Sequence, residues 1–156
     1  MKKSFIYAAK AALYAIILTG TFAACSNSTS SDDHEHEEEP VGFRIKQNNQ
    51  TIVEQTATQP ITGTISVTAR SSSTFTVLFV SEDGDEFTPD VDEHSITVTT
   101  EDTIFSITNI NSSTAPFSFT ITGNDEGTGS FDLKMLHEGA AEFTRLDIPV
   151  EVTAAN

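Results

Sequence analysis

Apolar and polar residues alternate with a period of two in several segments after residue 40. Ile65 and Val67, for example, alternate with Thr64, Ser66 and Thr68. The same alternation recurs in residues 117–122, 131–135 and 146–152. Because successive side chains of a strand point to opposite faces, this pattern predicts strands that bury one face. No segment after residue 40 sustains the apolar period of a helix, so the sequence predicts an all-β fold.

Further strand candidates complete this picture. They are residues 41–46, 51–55, 74–80, 95–100 and 103–110. Turn-forming sequences such as Asp83-Gly84 lie between candidates, and about eight or nine short strands predict an immunoglobulin-like β-sandwich over residues 41–156. A small closed barrel is the alternative. Pro149 has no amide donor, so its strand is expected at a sheet edge or with a bulge at that position.

The first 24 residues have the features of a secretory signal peptide. Lys2, Lys3 and Lys10 precede an apolar run over residues 11–18. A short apolar run behind positive charges is typical of an export signal that is removed. The run is also shorter than the roughly 20 residues of a membrane-spanning helix, so we expect cleavage of residues 1–24.

Cys25 is the only cysteine, and it directly follows Phe22-Ala23-Ala24. Small residues before a cysteine at the end of a signal peptide resemble the lipobox of bacterial lipoprotein precursors. We therefore expect lipidation of Cys25, with an ordinary signal peptide as the alternative. Several acyl chains on one cysteine would hold the chain on a membrane almost irreversibly. Ser26 favours the outer membrane of a Gram-negative envelope, with the domain facing the periplasm or the outside.

The segment after the cysteine is polar and acidic. Residues 26–39 contain no apolar side chain, so residues 25–40 are expected to form a lipidated cysteine and a flexible tether. The whole chain has 8 basic and 23 acidic residues, a formal net charge of −15. Nucleic acid is excluded as an expected partner because its binding depends on cationic groups. Cations and basic envelope proteins remain compatible partners.

Histidine and glutamate in the tether suggest a metal site. His34, Glu35, His36 and Glu37 are side chains that can bind Zn²⁺, Cu²⁺ or Ni²⁺. A solvated acidic spacer that happens to contain histidines is the alternative. Two more histidines, one just before a predicted strand and one at a strand end, are candidates to complete such a site. They are His94 and His137.

A weaker calcium hypothesis rests on the acidic loop that contains Asp83 and Asp85 and is followed by Asp90. Ca²⁺ takes six to eight oxygen ligands, but the order of these residues is not that of an EF-hand. An acidic hairpin built on Asp-Gly is the alternative. The sequence contains no nucleophile elbow, no phosphate-binding glycine loop and no HExxH segment, so we expect no enzymatic activity.

Three stretches carry a resemblance to a known group. They are Pro40-Val41-Gly42-Phe43, Phe79-Val80-Ser81-Glu82-Asp83-Gly84-Asp85 and Lys134-Met135-Leu136-His137-Glu138-Gly139. The chain resembles short, uncharacterised bacterial lipoproteins with an acidic, histidine-containing mature N-terminus and an Ig-like β-domain. The turn Gly127-Thr128-Gly129-Ser130 is similar to one that precedes the closing strands of bacterial Ig-like repeats. These resemblances imply a fold and a location but no specific activity.

The function predicted from these features is that of a membrane-anchored, non-enzymatic binding or interaction module of the cell envelope. Its expected partners are the membrane, through Cys25, and a protein of the envelope. The alternative function is a lipoprotein that binds a divalent transition metal through the His/Glu tether, with Zn, Cu or Ni as the cofactor.

Overall fold

The computed structural model describes residues 38–155, and within this range the chain forms eleven strands and no helix. The strands are β1 (Gly42–Gln47), β2 (Gln50–Gln55), β3 (Thr62–Gly63), β4 (Ile65–Thr68), β5 (Ser72–Val80), β6 (Glu86–Phe87), β7 (His94–Thr99), β8 (Phe105–Thr108), β9 (Ser118–Gly123), β10 (Gly127–His137) and β11 (Ala140–Thr153). The all-β prediction is confirmed. None of the described residues belongs to a helix long and apolar enough to cross a membrane.

The strands form two sheets. Sheet A has the order β3-β2-β1-β5-β9-β8, with β6 paired to β5, and sheet B has the order β4-β11-β10-β7. All pairs of named strands are antiparallel except β4 and β11, which run parallel. Neither sheet closes on itself within the described part of the chain, so the small closed barrel is not formed.

Phenylalanine rings join the two sheets across the core. The ring centroids of Phe79 in sheet A and Phe143 in sheet B are 5.5 Å apart, and those of Phe119 and Phe131 are 5.4 Å apart. Eight of the nine phenylalanines between residues 43 and 143 are buried, and Phe87 is partly buried. The inward-facing residues of both sheets thus share one core, which is the packing of a β-sandwich.

Nine of the observed strands coincide with the predicted segments. The other two, β3 and β6, have two residues each and are too short to show a period. The expectation of an edge position for Pro149 holds locally, because Pro149 pairs with Ser130 of β10 and the ladder with β4 begins only at Val150. The ladder does have a bulge nearby, where Phe131 pairs with Ile148 and Leu133 pairs with Arg145. This bulge precedes Pro149 and does not contain it.

Candidate metal centre

His94 and His137 are paired across the last rung of the ladder between β7 and β10. Two rungs earlier, Ile96 pairs with Met135, and both side chains are buried in the core. Since side chains alternate along a strand, the histidines occupy the next core-facing position of the same ladder. Their rings are stacked, with centroids 4.5 Å apart and an angle of 17° between the planes.

The ring of His94 is held by a backbone carbonyl. Its side chain is only 2% exposed, and its Nδ1 lies 3.2 Å from the carbonyl oxygen of Asp90, which also accepts the His94 backbone N–H at 2.8 Å. A carbonyl oxygen can only accept, so Nδ1 donates in this hydrogen bond. In the neutral ring the lone pair is therefore on Nε2, the nitrogen that a metal ion would use.

A β-bulge directs Glu142 toward this ring. The β10–β11 ladder pairs Met135 with Phe143 and then Leu136 with Ala141, so Glu142 is an extra residue in β11. Bulges of this kind change the direction in which a side chain points. The Oε2 atom of this glutamate lies 3.5 Å from Nε2 of the buried histidine.

His137 forms the open side of the cluster. Its side chain is 33% exposed, and its Nε2 lies 3.7 Å from Oε2 of Glu93. The following residues, Glu138 and Gly139, have positive φ angles of 48° and 86° and make the two-residue turn between β10 and β11. The N–H of Glu138 donates to the Glu93 carbonyl at 3.0 Å, which fixes the start of β7 beside this turn.

Three potential metal ligands converge here. One ligand atom from each of His94, His137 and Glu142 lies within 4.8 Å of the other two, and no other such group of His, Cys, Asp or Glu occurs among residues 38–155. Two imidazole nitrogens and one carboxylate oxygen suit Zn²⁺, Cu²⁺ or Ni²⁺. Calcium prefers six to eight oxygen ligands and fits this set poorly.

The structure therefore brings two of the predicted metal ligands, His94 and His137, into contact. The other predicted ligands of the tether and the lipidation site lie outside the described residues. They are Cys25, His34, Glu35, His36 and Glu37. Lipidation at Cys25 and metal binding by the tether remain predictions.

The predicted calcium ligands do not converge. Asp83 and Asp85 are exposed in the turn that joins β5 to β6, and Asp90 Oδ1 accepts the N–H of Asp92 at 2.9 Å. The hairpin built on the Asp-Gly turn is thus what residues 81–87 form. Calcium binding by Asp83, Asp85 and Asp90 stays a prediction from the sequence.

Sequence reasoning missed Glu142 and Glu93. The Glu138-Gly139 pair after His137 is a turn signal that could have placed β11 back along β10, with residues 140–142 near the histidine. The bulge that directs the Glu142 carboxylate toward His94 has no sequence signature of its own. Glu93 directly precedes His94, but its approach to His137 depends on the register between β7 and β10.

Comparisons with known proteins match solved structures at low sequence identity and low TM-score. No family model matches the sequence, and no curated protein matches it. Among solved structures, domains 4 and 5 of the S-layer protein SbsC match with 21% identity and a TM-score of 0.39, over 74% of this chain and 66% of that one. A structure of SbsC domains 4–9 matches with 16% identity and a TM-score of 0.40, over 78% of this chain and 23% of that one. The chain thus spans less than two thirds of either matched structure.

Proposed function

We propose that this chain is a lipid-anchored, non-enzymatic binding module of the cell envelope. The observation that carries the proposal is the order of its parts. The lipobox-like segment ends at Cys25 and a polar acidic run follows, and the β-sandwich begins at Gly42, immediately after that run. This arrangement supports a folded domain held away from a membrane surface.

Two carboxylates that line a surface cavity bond the backbone, which supports a structural role for them over a catalytic one. A surface cavity of about 420 Å³ is lined by Asp102, Asp132 and Asp147, among other residues. The Asp102 carboxylate accepts the Ser130 N–H at 2.7 Å, and the Asp132 carboxylate accepts the Asp147 N–H at 3.1 Å. Two of these carboxylates therefore bond backbone N–H groups within β10 and β11. A screen for hydrolase turnover by the purified chain is expected to be negative, and clear turnover would contradict the proposal.

The negative charge of the chain supports a domain that stays away from anionic membrane surfaces. With 23 acidic and 8 basic residues, the chain is repelled by anionic lipid headgroups and other acidic surfaces. We propose that its partner is a cation or a basic surface of an envelope protein, reached from the lipid on Cys25.

The anchor is tested by labelling cells with radioactive palmitate and separating their membranes. The wild-type chain is expected to carry label and to sediment with outer membranes, whereas Cys25→Ala is expected to lose the label. Ser26→Asp is the matched variant for sorting, and we expect it to keep the label but move toward the inner membrane. A wild-type chain without label would overturn the proposed anchoring.

A second candidate function is capture of a divalent transition metal by the tether. It is favoured by the pair His34 and His36 beside several carboxylates, two of which, Glu38 and Glu39, are exposed in the described part of the chain. Metal affinity of the full chain is expected to fall in the double variant His34→Ala/His36→Ala and to change little in Glu38→Gln/Glu39→Gln. Equal affinities and equal numbers of ions bound per chain in both double variants would rule out a histidine-based tether site.

A further inference from the structure

The folded domain contains a buried histidine whose environment does not depend on the anchor or the tether. Among the described residues, only His94 and Ser118 are buried side chains of the polar class. Burying a polar ring lowers stability unless its polar atoms are bonded. In His94 the Asp90 carbonyl bonds Nδ1, and Nε2 faces the Glu142 carboxylate and lies near the ring of His137.

Three different strands supply the three potential ligands. His94 begins the edge strand β7, His137 ends the central strand β10, and Glu142 is the bulge residue of β11. The strands thus fix the Cα position of each ligand residue. Only the side-chain torsion angles have to change when a metal binds. Such preorganisation reduces the cost of assembling a metal site.

The spacing of the ligand atoms is close to that of an occupied site. They lie within 4.8 Å of one another, and two ligands bound tetrahedrally at about 2.1 Å from one Zn²⁺ lie about 3.4 Å apart. Closing the longest separation requires a shift of about 1.4 Å, which rotations about χ1 and χ2 can provide. Binding would tilt the two stacked rings so that their lone pairs converge.

We infer that the β-sandwich domain contains a transition-metal site formed by His94 Nε2, a ring nitrogen of His137 and a carboxylate oxygen of Glu142. The ligand set selects Zn²⁺, Cu²⁺ or Ni²⁺ over Ca²⁺ and Mg²⁺. The Asp90 carbonyl acts on His94 as a positioning group, because it favours the tautomer with the lone pair on Nε2. Water completes the coordination.

The test uses the full chain with His34→Ala and His36→Ala, purified in detergent whether or not Cys25 carries lipid. The two substitutions remove the imidazoles of the tether. Calorimetric titration with ZnCl₂ alone is expected to show one ion per chain. Adding His137→Leu or Glu142→Gln is expected to weaken binding at least about tenfold. Glu138→Gln removes an exposed neighbouring carboxylate outside the cluster, and it is expected to leave the affinity unchanged. Excess CaCl₂ is expected not to displace zinc.

A second measurement distinguishes ligands from residues that act only on the fold. In ¹⁵N NMR spectra of the same His34→Ala/His36→Ala chain, zinc is expected to shift Nε2 of His94 while its Nδ1 stays protonated. We expect the domain to tolerate leucine at the core-facing position of His137. If the His137→Leu variant does not fold, the zinc affinity of the Glu142→Gln variant decides whether the site exists. No zinc binding in the His34→Ala/His36→Ala chain, or binding that neither His137→Leu nor Glu142→Gln weakens, would overturn the site. Such a result would show that the histidine pair only packs the end of the core. Neither result depends on lipidation of Cys25.

Discussion

The side-chain amide of Asn111 bonds both backbone groups of Ile96. Its Nδ2 donates to the Ile96 carbonyl at 2.6 Å, and its Oδ1 accepts the Ile96 N–H at 3.1 Å. Ile96 lies on β7, an edge strand of sheet B, so the amide occupies the place of a residue on a neighbouring strand. Exposed edges promote unwanted strand pairing, and this contact covers part of one edge.

Replacing Asn111 with aspartate is expected to destabilise the domain by about 1–3 kcal/mol, because the Ile96 carbonyl loses its donor and faces a carboxylate instead. Urea unfolding and hydrogen exchange of the Ile96 amide measure the effect. Asn109→Asp is the control, because Asn109 is exposed and has the same φ of 52° as Asn111. Equal losses in the two variants would assign the effect to the backbone and not to the hydrogen bonds.

Phe79 is the ring with the most aromatic neighbours in the described core. It is fully buried and lies 5.5 Å from Phe143 and 6.2 Å from both Phe87 and Phe117, measured between ring centroids. Phe79→Ala is expected to cost about 3–5 kcal/mol in the free energy of unfolding. Phe87→Ala removes a partly buried ring and is expected to cost less. The reverse order of the two losses would contradict the assignment of Phe79 to the centre of the core.

Two glycines with the same positive φ angle have different surroundings. Gly63 and Gly84 both have φ of 86°, but a Cβ at Gly63 would collide with the Ile52 carbonyl, whereas nothing lies near one at Gly84. Gly84→Ala is expected to cost about 1 kcal/mol from its backbone alone. Gly63→Ala adds the collision and should lower the unfolding midpoint further. Similar midpoints would mean that β3 moves away from β2 without loss.

Glu86 gives the domain a pH-dependent stability. Its carboxylate accepts Lys46 Nζ at 2.6 Å and Arg44 Nη1 at 3.0 Å. The hydrogen bond from Lys46 first, and that from Arg44 as well, lower the Glu86 pKa below its ordinary value of 4.5, although burial opposes them. The stabilisation is therefore present above pH 4.5 and is lost as the pH falls through the lowered pKa of the folded state.

The variant Glu86→Gln is expected to lose up to about 1 kcal/mol at pH 7 and to converge with the wild type in strong acid. Urea unfolding across this pH range measures the difference, and 1 M salt is expected to reduce it. Glu82→Gln, in the neighbouring exposed turn, is the control. A constant difference between Glu86→Gln and the wild type at all pH values would refute an ionic origin.

The strands could be predicted because burial of one face is a local property. Ile65 and Val67 are buried and Ser66 and Thr68 are exposed, as their alternation indicates. The two-residue strands β3 and β6 could not be predicted, because each is stabilised by its neighbour and carries no period of its own. The place of Pro149 could be predicted in part, because its missing amide donor favours a position with a neighbour on one side, but the start of the β4 ladder at Val150 depends on distant residues.

The candidate site could be predicted only in part. His94 and His137 could be named as candidates because histidine is a metal ligand and both lie next to predicted strand ends, but their contact depends on a register that joins residues 43 positions apart. Glu142 could not be predicted, since one extra residue in β11 decides where its carboxylate points. Local patterns thus indicate candidate ligands, and non-local register decides which of them meet.

The parallel pairing of β4 with β11 also restricts the order in which the domain can form. Residues 65–68 have no other neighbour in sheet B than residues 150–153. Contacts between such distant segments are slow to form. A chain that emerges from its N-terminal end, from a ribosome or through a translocation channel, must therefore wait for β11 before sheet B is complete. Until then the inner faces of β5 and β9 lack part of their covering layer, and exposed apolar surface of this kind makes a partly folded domain prone to aggregation.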